Sequence, residues 1–198
     1  MDHVNVYALK NNDGWTVIDR GIRFRRGIAI WEALLQEPLA DGPVDVLVTH
    51  HHPDHVGMAG WFQKVRGARL TTTRTAWLYA RMLTLDVQDQ WSVETPAFYR
   101  EAGMVPGLFE RRRASRPYKF ADTVFPLPLG FRRIRDGDRV LLGGRNWRVV
   151  KGDGHSPEQT TLWPEDDPLV IAGDQVLPDI TPNLGVSVRE FLPADIGS

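Results

Sequence analysis

The segment running from Val44 to Gly57, VDVLVTHHHPDHVG, constrains this chain more than any other. Its first half is a short apolar run rich in β-branched residues, the pattern of a strand buried on both faces. Its second half crowds His50, His52, Asp54 and His55 into the loop that follows. In an extended chain alternate side chains share a direction, so His50 and His52 reach toward one point while His51 faces elsewhere. Pro53 then allows the chain to turn, which aims Asp54 and His55 at a second point nearby. One loop at the end of one strand can therefore serve two adjacent ions.

The sequence has no cysteine, so any metal must be held by His, Asp or Glu. Imidazole and carboxylate ligands suit Zn²⁺ and also accept Fe or Mn. Two histidines leave a tetrahedral site incomplete. Apart from His3 and His51, His155 is the one histidine left, and it lies in the Gly-rich loop GDGHSP after the apolar run WRVV. Asp174, in AGDQ at the end of LVIA, is again a polar residue just past an apolar run, placed where a carboxylate could bridge two ions. His3 reads as structural and His51 as outside the metal shell.

The rest of the chain supplies a layered α/β scaffold. HVNVYAL and WTVID flank a turn containing Asp13-Gly14, a hairpin signal. Ile28 to Gln36 repeats apolar residues at helical spacing and stops before Pro38, which disfavours helix in the residue ahead of it. Met58 to Val65 reads as a helix and Arg69 to Thr73 as a strand. Residues 75–130 differ in kind: Leu78, Met82 and Leu85 make a helical stripe, Thr95-Pro96 to Gly103 has the start and stop signals of a short helix, and the whole reads as a helical insertion or cap. Strands resume at Val140 to Leu142, Trp147 to Val150, Thr160 to Trp163 and Leu169 to Ala172. With 198 residues, 42% of them hydrophobic, one domain spanning 1–198 is expected.

At this point the chain resembles the metallo-β-lactamase superfamily. THHHPDHVG matches its His-x-His-x-Asp-His signature, GDGHSP its second histidine motif, and Gly173-Asp174 its bridging aspartate, in order, from about Val4 to Asp174. The resemblance implies an αββα sandwich with the site at its edge. His50, His52 and His155 would hold a first metal, Asp54 and His55 a second, and Asp174 would be shared. Asp19 falls where the family has Asp-Thr-Gly, a residue that orients ligands, although Arg20 here replaces the threonine. The family's second metal takes a further late histidine, and none follows His155 in this sequence. A C-terminally incomplete chain, a fragment rather than a natural short form, is therefore expected, with a weaker second site.

Such a site implies a metal-dependent hydrolase that uses one or two zinc-like ions to activate water, with Asp54 as proton acceptor. The glyoxalase-II-like and lactonase-like branches that this chain resembles point to a small ester, thioester or lactone. Two alternatives stand beside that reading. Between Arg100 and Arg135, Lys and Arg outnumber the acids Glu101, Glu110 and Asp122, which fits a phosphodiesterase or nuclease; the run Arg111 to Arg113 otherwise reads as a solvated face. The missing late histidine fits a catalytically silent metal-binding fragment. A formal net charge of -1 names neither nucleic acid nor membrane as partner. A small-molecule substrate is expected. Without a membrane span or signal-peptide pattern, a cytoplasmic location is the expectation, and the oligomeric state is open.

Overall fold

A computed structural model describes residues 4–184 and Val188; His3 lies outside them. The opening hairpin forms from its alternating pattern: β1 (Tyr7–Asn11) pairs antiparallel with β2 (Gly14–Ile18), Tyr7 opposite Ile18. β2 then runs parallel to β3 (Val44–Leu47), β3 to β4 (Leu70–Thr72), and β4 to the short β5 (Arg132–Arg133), giving a five-stranded sheet in the order β1-β2-β3-β4-β5. A second sheet, β6 (Arg139–Leu142), β7 (Arg145–Gly152) and β8 (Gln159–Pro164), is antiparallel throughout.

Strand alternation sorts the apolar residues of β2 and β3 onto two faces. Val17, Val46 and Val48 turn toward Trp31 and Leu35 of α1 (Arg25–Gln36) and Phe62 of α3 (Ala59–Arg66). Ile18 and Leu47 turn the other way, onto Trp147, Val149 and Leu162 of the second sheet. Each of these strand residues is at most 1% exposed, a burial that contributes about 1.5–3 kcal/mol per side chain. The double-faced run read in VDVLVT thus separates a helix–sheet core from a sheet–sheet core, which is the α/β sandwich the sequence implies. Among the described residues no helix lies after residue 122, and Leu141 and Trp163 on the outer face of the second sheet are exposed.

Residues 75–130 fall mostly on helices: α4 (Arg74–Leu85), α5 (Glu94–Glu101), α6 (Pro106–Arg113) and a 3-10 turn (Phe120–Asp122). Thr73 caps α4 by accepting from the Ala76 N–H at 3.1 Å. The stripe Leu78, Met82, Leu85 faces outward, at 51%, 41% and 70% exposure. Ala76 and Ala80 take the buried face instead, with Trp77 stacked on Phe131 at 4.9 Å. Two stripes of helical period coexist in this sequence, and the smaller residues allow the closer approach to the core. LVIA likewise departs from expectation: it makes one bridge, Leu162 to Ile171, rather than a strand. Pro168 has no N–H to donate, and the pairing does not extend past the two bonds between Ile171 and Leu162.

The helical segment is tied to α3 through Gly60, where a Cβ would stand 2.0 Å from the Pro126 carbonyl oxygen. Gly60→Ala is expected to cost about 3 kcal/mol in denaturant unfolding. A loss below about 1 kcal/mol would show that the Pro126 stretch yields freely. None of the helices in the described residues is long and apolar enough to cross a membrane.

Candidate metal centre

Four chain segments arrive at one edge of the sandwich. β2 ends into Asp19, β3 into Thr49 and His50, β7 into the loop carrying His155, and the bridge at Ile171 leads to Gly173 and Asp174. The short helix α2 (Pro53–Val56) begins at the proline and carries Asp54 and His55. Gly173 is required where it stands: its φ is +52°, and a Cβ would lie 2.9 Å from Gln159 Nε2 and 3.1 Å from Thr49 Oγ1. That close approach brings Asp174 beside the β3 loop.

Inside this edge, His50 Nε2 lies 3.0 Å from His52 Nδ1, which lies 2.9 Å from His155 Nε2. The partners of the opposite nitrogens decide which of these atoms carry protons. A carboxylate only accepts, so Thr49 Oγ1 donates to Asp19 Oδ2 at 2.8 Å and accepts from His50 Nδ1–H at 3.0 Å. His155 Nδ1–H donates to the Asn183 carbonyl at 2.9 Å. His50 Nε2 and His155 Nε2 are therefore bare when these rings are neutral. Burial, with the neighbouring histidines, holds His50 well below the usual imidazole range and pushes His52 down to about 3. Three imidazoles directing nitrogen at one point, two of them with the ring proton turned away from it, fit a metal ion.

A second group, His50, His55 and Asp174, also has its ligand atoms within 4.8 Å of one another, the same limit that the first group meets. His55 Nδ1–H donates to Asp19 Oδ2 at 2.8 Å, which leaves Nε2 facing Asp174 Oδ1 at 3.2 Å and Asp54 Oδ2 at 3.6 Å. Asp174 Oδ2 lies 3.4 Å from His155 Nε2, so this carboxylate stands between the two groups. Burial opposes charge on His55, but Asp19, Asp174 and Asp54 override it and push the imidazole up to about 10. Burial likewise works against charge on Asp174, yet His55, His155 and His52 hold it below the usual carboxylate range. Asp54 Oδ2 and His55 Nε2 are buried without a hydrogen-bond partner. An anionic cage with orphaned ligand atoms suits a cation, and the donor set is the one zinc, iron and manganese accept.

His51 lies apart from both groups. Its Nδ1 meets Ser156 Oγ at 3.1 Å and its ring lies 4.9 Å from Tyr79; burial pushes it down to about 4. With His52 and Pro53 it walls a cavity of about 240 Å³, closed on the other side by Leu83, Asp86, Tyr118 and Phe120 from residues 75–130. Sequence reasoning missed Thr49 and Asn183. Thr49 stood in view as the last residue of the buried run, but Asn183 acts through its main-chain carbonyl and has no side-chain signal.

Arg20 sits behind the centre, 2% exposed. Its Nη2 donates to the Leu47 carbonyl at 3.1 Å, while Nε and Nη1 are buried with no partner. Burial pushes it down to about 9 against the opposing pull of Asp19. The main chain here is engaged, Arg20 N–H to the His55 carbonyl and the Arg20 carbonyl to Trp31 Nε1–H, but any residue supplies those bonds. Arg20→Met is therefore expected to change the unfolding free energy by less than about 1.5 kcal/mol, because Asp19 retains His55 and Thr49 as donors. A loss above about 3 kcal/mol in chemical denaturation would show that Asp19 depends on the guanidinium.

The sequence profile described as Metallo-beta-lactamase superfamily matches residues 1–197. A Beta-lactamase domain protein from Burkholderia ambifaria is similar at 35% identity and a TM-score of 0.79, over 93% of this chain and 53% of that one. A metallo-beta-lactamase family protein from Thermus thermophilus is 26% identical with a TM-score of 0.71, over 93% of this chain and 58% of that one. A subclass B3 metallo-beta-lactamase of Bradyrhizobium japonicum is 25% identical with a TM-score of 0.51, over 84% of this chain and 53% of that one. This chain thus spans somewhat more than half the length of these relatives. Among curated proteins none matches it.

Proposed function

This chain belongs to the metallo-beta-lactamase superfamily, and from that premise we propose that it is a metal-dependent hydrolase acting on a small ester, thioester or lactone. The observation that carries this reading is the convergence of His50 Nε2, His52 Nδ1 and His155 Nε2 at 2.9–3.0 Å steps, with the Nδ1 protons of His50 and His155 directed away from the centre. His50, His52 and His155 would hold one ion. Asp54, His55 and Asp174 would hold a second, with Asp174 shared. Zinc is the proposed metal, with iron or manganese acceptable to the same donors. Such ions supply Lewis acidity and bring water toward ionisation near neutral pH.

The protein's own groups divide the remaining work. Asp54 Oδ2, buried beside His55 without a hydrogen-bond partner, is the proposed acceptor of the proton released when water attacks. Asp19 and Thr49 engage Nδ1 of His55 and His50, so that Nε2 is the nitrogen each ring turns to the centre. Leu83 and Phe120 bring apolar surface to the wall of the cavity that His52 opens into, where they would seat the substrate and exclude water. This supports residues 75–130 as a cap over the site.

The test is metal analysis of the purified chain together with turnover on matched esters, thioesters and lactones. Stoichiometric metal with turnover that chelation removes and metal restores is the expected result. Full metal loading without turnover on any substrate would leave a binding domain and overturn the hydrolase. The exposed arginines Arg111, Arg113, Arg132 and Arg133 favour phosphodiester cleavage as the second reading. It requires nucleic-acid binding that falls steeply with salt.

A further inference from the structure

The three arginines that close α6 are not equivalent. Successive residues on a helix point about 100° apart, and of Arg111, Arg112 and Arg113 it is Arg112 that lines one wide cavity. That cavity, about 860 Å³, lies between α5, α6 and the stretch that follows α6, and it is distinct from the smaller one beside His52. Asp86 and Tyr118 belong to the walls of both, so the two spaces meet at that pair. The smaller one fits only a compact group. The larger has the volume of a site for a whole small-molecule ligand, far more than a small ester occupies.

Its walls combine flat rings with one cation left over. Trp91 is fixed by its Nε1–H donating to the Ser115 carbonyl at 3.1 Å and stands 5.6 Å from Tyr99 in an edge arrangement. The Arg112 guanidinium lies 5.7 Å from the Tyr99 ring centre, with Nη1 3.5 Å from Tyr99 Oη. The other two cations on this wall are neutralised, Arg116 by Asp122 at 2.7 Å and Lys119 by Asp89. No carboxylate lies within ion-pair distance of Arg112 among the described residues. Of the acids on the wall besides Asp122, Glu94 is hydrogen-bonded by Ser92 and Asp86 by Gln88, and Asp86 stands at the junction, nearest the metal centre. The charge order therefore runs from an acid at the reacting end to a cation in the wide cavity.

We propose that this cavity binds the leaving part of the substrate and that this part carries an anion, carboxylate or phosphate, received by Arg112. The proposal rests on the hydrolase reading of the metal centre and narrows its substrate class: a long ester or thioester with a compact acyl group and an anionic leaving group. A planar guanidinium takes either anion through paired N–H groups, and Trp91 and Tyr99 offer ring surface to the connecting portion.

The experiment compares thioesters of one short acyl group whose leaving thiols are neutral, carboxylate-bearing or phosphate-bearing, in the metal-loaded native chain and in Arg112→Gln. The anionic substrates are expected to show a KM about tenfold below the neutral one. Arg112→Gln should raise their KM to that of the neutral thioester, an increase well beyond any it causes for the neutral thioester itself. The carboxylate and phosphate arms tell which anion the cavity prefers. Equal KM values across the three, or a preference that survives Arg112→Gln, would overturn the subsite while the hydrolase stands. If no thioester turns over, the hydrolase reading is decided by the esters and lactones, and calorimetric titration with the S-methyl thioethers of the same thiols still decides the subsite. Binding of the anionic thioethers that Arg112→Gln removes supports it, and no binding overturns it.

Discussion

His50→Ala is expected to lower metal affinity at the first site more than hundredfold, whereas His51→Ala, one position along, leaves the affinity within about twofold. His50 belongs to both sets of converging atoms, with His52 and His155 on one side and with His55 and Asp174 on the other. Its loss removes a nitrogen from the first site and frees Thr49 Oγ1 from its donor. Changes in groups that merely orient ligands typically cost ten- to hundredfold in metal affinity, so losing a ligand itself exceeds that range. His51 instead spends its Nδ1 on Ser156 and its ring face on Tyr79. Competition against a chelating dye reads both variants, with circular dichroism to establish that each is folded. Similar losses in the two would mean that strand alternation misassigns the loop.

Asp19→Ala carries the second large effect, and it acts on stability and metal together. Asp19 accepts from the Thr49 N–H at 2.9 Å, from Thr49 Oγ1 at 2.8 Å and from His55 Nδ1 at 2.8 Å, all at 2% exposure. Its φ of +53° is one that aspartate tolerates better than alanine. Each buried donor left without a partner costs about 1–3 kcal/mol, so a loss on the order of 4 kcal/mol in unfolding free energy is expected. His55 loses the partner that fixes its tautomer, and Thr49 loses the reason to accept from His50. Metal affinity should fall by about ten- to hundredfold in whatever fraction remains folded. Asp19→Asn retains the backbone tolerance and one acceptor, and should fall between the native chain and Asp19→Ala on both scales. Native-like stability in Asp19→Ala would mean that water replaces the carboxylate at small cost.

Several elements were legible because the relevant physics is local. The double-faced run Val44 to Thr49 announced a central strand, since β-branched apolar residues without alternation fit a strand covered on both sides. Pro53 marked the turn that separates His52 from Asp54 and His55, and in the structure it opens α2. Where two stripes of helical period coexist, spacing predicts the helix and not which face is buried. Leu78, Met82 and Leu85 have helical spacing but face outward, because packing preferred the close approach that Ala76 and Ala80 permit. LVIA has strand composition but makes one bridge, since composition alone does not provide a partner.

The metal centre divides along the same line. By itself the sequence determined which side chains are available as ligands, His50, His52, Asp54, His55, His155 and Asp174, and that His50 and His52 share a direction while His51 does not. These follow from residue chemistry and from the two-residue period of an extended chain. Only the tertiary structure decided which nitrogen of His50, His55 and His155 is turned to the centre. That depends on Thr49 between Asp19 and His50, on the Asn183 carbonyl behind His155, and on Asp19 behind His55. A proton's position on imidazole is set by the partner of the opposite nitrogen, and those partners come from segments that meet in space and are far apart along the chain.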